Sequence, residues 1–114
     1  MTGALEITQA DVDQACWQRQ AVAELARILD AHAGLPAIAW TVGPAGCVLA
    51  GRVNGLSSAA RVREAFTAWR VALSLEDRWE HAGGVGTVYL HAQARRGGVK
   101  VRVTATVLDG EEDL

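Results

Sequence analysis

The chain has 114 residues, a formal net charge of −2 and a residue content that is half hydrophobic. That length suits one domain and is too short for two ordinary ones; such a domain buries roughly 65% of its unfolded surface and can hold a core without disulfides or metal. The composition excludes wholesale disorder, and no apolar run approaches the ~20 residues that cross a bilayer.

Residues 1–7 read as a short lead-in. Thr8 is placed to cap a helix, with Asp11 three residues on in a capping-box position. Val12, Cys16, Val22, Leu25, Ile28 and Leu29 recur at helical spacing and predict a helix over 9–33. Gly34 stops it and Pro36 prevents its return. Residues 37–42 alternate, with Ile38, Trp40 and Val42 on one side. Gly43-Pro44-Ala45-Gly46 is a turn signal. A strand over 47–53 follows, with Cys47, Leu49 and Val53 opposed to Val48, Ala50 and Arg52, so the two strands predict a hairpin. Asn54-Gly55 ends it.

Ser57 or Ser58 caps a second helix, about 58–73, whose apolar stripe is Val62, Ala65, Phe66, Trp69 and Leu73. Residues 75–81 are a weak strand candidate because charge crowds them. Gly83-Gly84-Val85-Gly86 is a turn. Two alternating strands then occupy 87–108, joined at Arg95-Arg96-Gly97-Gly98. Val88, Leu90, Ala92, Ala94, Val99, Val101, Val103, Ala105 and Val107 make one face. Thr87, Tyr89, His91, Gln93 and Arg95, with Lys100, Arg102, Thr104 and Thr106, make the other. A two- or four-residue loop sets odd positions of one strand against even positions of the other, which keeps each face uniform. Gly97-Gly98 suits a tight primed turn. The chain closes on an acidic segment, Asp109 to Leu114.

The order α-β-β-α-(β)-β-β predicts a single α+β domain over 1–114, a two-layer sandwich. Its sheet is antiparallel or mixed, of four to five strands, with both helices on one face. The valine-rich face meets the helices, and the Tyr89–Thr106 face points away from them.

The net charge hides a gradient. Residues 1–60 carry −2, residues 61–102 carry +4 and residues 103–114 carry −4. A local basic patch beside an acidic tail is the expectation. Cys16 and Cys47 have neither metal spacing nor a disulfide framework and are expected as buried, reduced thiols. No basic stretch followed by an apolar one opens the chain, so no signal peptide is read and the expected compartment is the cytoplasm.

Catalytic patterns do not emerge. There is no G-x-S-x-G, no H-E-x-x-H and no Ser-His-Asp signature. His32, His81 and His91 fall in separate elements and read as a helix-end, a loop-edge and a sheet-surface histidine. The pairs Glu76/Asp77 and Glu111/Glu112 read as solvated charge, since acid–base carboxylates need sheltered, unequal environments. Gly83–Thr87 lacks the lysine and the following helix of a phosphate loop. No cofactor and no metal site is expected.

The polar hairpin face is the one chemical feature that stands out: Tyr89, His91, Gln93, Arg95, Lys100 and Arg102, with Arg96 counted among its clustered cations. Like charges facing each other across a ladder are unfavourable. A solvated face is the simplest account; the alternatives are a protein-binding or dimer face and a platform for single-stranded nucleic acid. One tyrosine is a thin stacking platform, which favours a protein partner. Arg61, Arg63 and Arg70 form a second basic strip on the second helix, but a hairpin separates the helices and a helix-turn-helix reader does not fit. A pocket lined by Trp17, Trp40 and Cys16 is a third possibility, against the simpler reading of core tryptophans. Either 75–81 or 37–42 lies at a sheet edge, where a second copy can pair and give a two-fold dimer.

Residues 35–43, residues 62–70 and the strands from Thr87 to Asp109 together resemble small proteins of high-GC actinobacterial genomes and their mobile elements. Ten Arg to one Lys, with abundant Ala, Gly and Val, agrees with that source. The resemblance implies an origin and carries no activity or site residues. The reading is a small non-enzymatic, homodimeric protein-interaction module, with an accessory nucleic-acid-binding protein as the alternative. No membrane partner is expected.

Overall fold

A computed structural model of the chain describes residues 7–43, 47–53 and 58–108. The start of the lead-in, Pro44–Gly46 of the first turn, Asn54-Gly55, Ser57 and the acidic tail lie outside the described residues.

The elements are α1 (Gln9–Ala31), β1 (Ala39–Val42), β2 (Val48–Arg52), α2 (Ala59–Ala72), β3 (Asp77–Ala82), β4 (Thr87–Arg96) and β5 (Val99–Leu108). They form the expected α+β arrangement, with one five-stranded mixed sheet in the order β1-β2-β5-β4-β3. β2 runs parallel to β5, and every other pair is antiparallel. The parallel pair joins the two hairpin units: β5 returns from the β3–β4 meander to lie beside β2.

Both helix starts are capped as the sequence suggests. The Thr8 hydroxyl accepts from the Asp11 N–H at 3.1 Å, and the Asp11 carboxylate accepts from the Thr8 N–H at 3.0 Å. That bond, with the Thr8 hydroxyl, holds the Asp11 carboxyl below its ordinary pKa. Ser58 caps α2 through the Arg61 N–H. Leu73 caps the end of α2, and the next residue, Ser74, has a φ of +54°, a left-handed conformation usually left to glycine. Leu73 and Leu75, both 1% exposed, anchor that bend from either side.

The core is the valine face of β5 with Leu49, Leu90 and Ala92, covered by Val62, Phe66 and Trp69 of α2 and Ala21 and Ile28 of α1. Trp69 is fully buried, donates its indole N–H to the Pro36 carbonyl at 2.7 Å, and meets Trp40 edge-on. α1 buries the expected stripe only in part: Ile28 is in the core and Leu25 packs against it. Ala21, Glu24 and Ile28 are buried, whereas Val12, Val22 and Leu29 are about half exposed. Glu24 is buried beside Ala21 and Ile28 and pairs with Arg27 and Arg96. Cys16 is exposed and Cys47 half-buried, so neither thiol is sealed in the core. Cys47 lies against α1, with Sγ 3.2 Å from Gln20 Oε1.

Candidate binding face

The β4–β5 register fixes the polar face. A two-residue turn, Gly97-Gly98, with φ of +58° and +85°, pairs Arg96 with Val99 and Arg95 with Lys100. Positive φ at both positions is what a primed hairpin turn needs. From there the odd positions of β4 oppose the even positions of β5.

β2 and β3 extend these pairs into rows. One row reads Arg52, Thr104, His91, Trp79; the next reads Ala50, Arg102, Gln93, Asp77. A third pairs Thr106, Tyr89 and His81, and Val48, Lys100 and Arg95 make the fourth. All six expected site residues, Tyr89, His91, Gln93, Arg95, Lys100 and Arg102, share this face. Burial alternates along β5, with each odd position buried and Lys100, Arg102, Thr104 and Thr106 half-buried. The helices therefore cover only the valine side.

Beside Val48, Ala50 and Asp77, the flanking strands add Arg52, Trp79 and His81 to this face. Trp79 stacks on His91 with centroids 3.8 Å apart and planes 20° from parallel. His81 lies 5.2 Å from Tyr89, which makes it a strand residue rather than a loop-edge one. Arg52 arrives from β2, opposite Thr104. Trp79 and Tyr89 remain 46% and 40% exposed. These groups border an open depression of about 510 Å³. The Tyr89 ring lies directly on Gly83, where a Cβ would collide with it.

The electrostatics are cationic. Arg52, Arg95, Lys100 and Arg102 stand on the face, and the Asp77 carboxylate accepts from Gln93 Nε2 at 3.0 Å. Burial, then the Arg102 and Lys100 charges, hold the His91 pKa below its ordinary value, against an opposite pull from Asp77. His91 Nδ1 and Arg102 Nε are shielded from solvent and find no hydrogen-bond partner among the described residues.

Arg96 leaves the basic group. Its register position turns it to the helix side, where Nε donates to Glu24 Oε2 at 3.3 Å and Nη1 to the Leu73 carbonyl at 3.3 Å. The tryptophan pocket also dissolves into other roles: Trp40 packs on Trp69, and Cys16 is exposed.

Among the described residues no three of His, Cys, Asp and Glu converge to hold a metal ion, and no helix is long and apolar enough to cross a membrane. Comparison with family models, curated proteins and solved structures finds no match to this chain.

Proposed function

We propose that this chain is a non-enzymatic binding module, dimeric, whose open sheet face takes a protein partner. The observation that carries this is the row Arg52–Thr104–His91–Trp79, with the adjoining Tyr89 and Arg102, on a face that neither helix covers. Tryptophan, tyrosine and arginine are the residues that dominate binding energy at protein interfaces. They offer large area at low entropic cost and donors in fixed directions. The cationic balance suits an acidic surface.

The charge reversals Arg95→Glu, Lys100→Glu and Arg102→Glu, made together, test it. Affinity capture from the cells that express the protein should yield a protein partner with wild type and lose it with the variant. A partner set that survives the triple reversal contradicts the placement.

A second reading has its own support. With Trp79 and His81 beside Tyr89 and His91, the platform holds four rings rather than one tyrosine and one histidine. Rings interleaved with cations suit single-stranded nucleic acid. That reading requires binding that weakens steeply with salt, because phosphate contacts release counterions. Gel shifts with single-stranded DNA and RNA at two salt concentrations decide it; the absence of a shift at low salt removes it.

A further inference from the structure

β3 is the outer strand of the sheet beside β4, and all six of its residues are exposed. The Gly83 N–H donates to the Thr87 carbonyl at 2.9 Å. Backbone bonding alternates along an antiparallel pair. Asp77, Trp79 and His81 therefore bond inward to Gln93, His91 and Tyr89, while Arg78 and Glu80 turn their N–H and C=O outward. On the helix side a groove of about 410 Å³ separates β3 from α2, leaving room over the strand.

The sequence of this edge is complementary to itself. We infer that a second copy of this chain pairs antiparallel with β3, with Trp79 opposite Trp79 of the second copy on the two-fold axis. In that register Arg78 opposes Glu80 of the second copy, and Asp77 opposes His81 of the second copy. Each opposed pair lies on one side of the sheet, as antiparallel pairing demands. Arg78 and Glu80, the residues whose backbone groups point outward, become hydrogen-bonded pairs. Trp79 falls at the non-hydrogen-bonded position, where side chains come closest. The neighbouring two-fold registers fail on charge. Centring on Arg78 sets arginine against arginine, and centring on Glu80 sets glutamate against glutamate, both unfavourable directly across a ladder.

Glu80 already lies 3.8 Å from Arg63, but its side chain keeps 57% of its exposure and can take a second cation. The pairing joins two open faces into one ten-stranded surface with the two Trp79–His91 stacks at its centre. It deepens the dimeric part of the function proposed above and is independent of what the open face binds.

Sedimentation equilibrium with charge-reversal variants tests the register. Arg78→Glu and Glu80→Arg each turn two attractive pairs into two repulsive ones and should weaken the dimer at least about tenfold. The swap R78E/E80R restores both pairs and should restore the dimer. Mixing the two single variants should give a heterodimer tighter than either homodimer. Far-UV circular dichroism verifies that these exposed substitutions leave the fold intact. A wild type that stays monomeric at every concentration overturns this inference together with the dimeric reading. A dimer that both single reversals leave unchanged overturns the edge alone and leaves the dimeric reading standing.

Discussion

Replacing Glu24 by Gln keeps the side chain's shape and removes its charge. Glu24 is 6% exposed, yet its carboxylate is held by two guanidinium groups. Oε1 accepts from Arg27 Nη2 at 2.8 Å and Nε at 3.3 Å, and Oε2 accepts from Arg96 Nε at 3.3 Å. Burial alone would raise the pKa of Glu24; the hydrogen bonds and charges of Arg27 and Arg96 outweigh it and hold the pKa below the ordinary 4.5. The Arg27 side chain is 68% exposed and one turn away, so water screens that pair to a few tenths of a kcal/mol, roughly. The Arg96 pair is more sheltered, with side chains 36% and 8% exposed, and contributes about 1 kcal/mol. Glu24→Gln should therefore cost about 1–2 kcal/mol at pH 7, a fall in Tm of about 4–8 °C for a domain of this size. A depressed carboxylate pKa gives stability that is present above the unfolded value and lost as pH falls through the folded one. The gap between wild type and variant should thus be full at pH 7, begin to narrow as pH falls below 4.5, and vanish once pH has fallen past the depressed folded value. Urea unfolding at pH 7, 5 and 3 measures it. A variant as stable as wild type at pH 7, or a gap that is no smaller at pH 3 than at pH 7, refutes the reasoning.

Three further outcomes are expected. Gly98→Ala, placed at a φ of +85°, should cost about 1 kcal/mol by thermal unfolding, because an L side chain resists that conformation. Trp69→Phe leaves the Pro36 carbonyl without its indole donor and should cost about 1–3 kcal/mol in urea unfolding, counting lost ring area. Proton NMR should show His91 titrating below 6.5, with its pKa rising in Arg102→Gln as that cation is removed; an unchanged value in the variant contradicts the cationic field assigned to the face.

The hairpin at 87–108 was legible because it satisfies two independent constraints. Its valines alternate without a break, and its two-residue glycine turn allows only one parity. The same parity, carried one residue further, turns Arg96 toward the helices. The strand β3 was hard to read because every residue in it is exposed, so no buried alternation marks it. Trp79 and His81 stayed off the predicted face for that reason. α1 misled for another. Val12, Val22 and Leu29 keep helical spacing, but Glu24 finds Arg96 at a separation of 72 residues, and a single sequence contains no sign of that pairing. Gly51 is a similar case: a Cβ there would come within 2.8 Å of Ile38 and 2.9 Å of Trp40, a closeness that only the folded β1–β2 pair creates. The parallel β2–β5 pairing was likewise beyond reach, since alternation defines the faces of a strand and not its neighbour.

The central claim is that the open sheet face is where a partner sits. A photoreactive residue placed at Thr104, in the middle of that face, and another at Val71, 60% exposed on α2, compare the two sides of the molecule directly. Irradiation in the cells that express the protein, followed by mass spectrometry, should give a discrete crosslinked protein from position 104 and none from position 71. The same adduct from both positions, or one from position 71 alone, contradicts the claim.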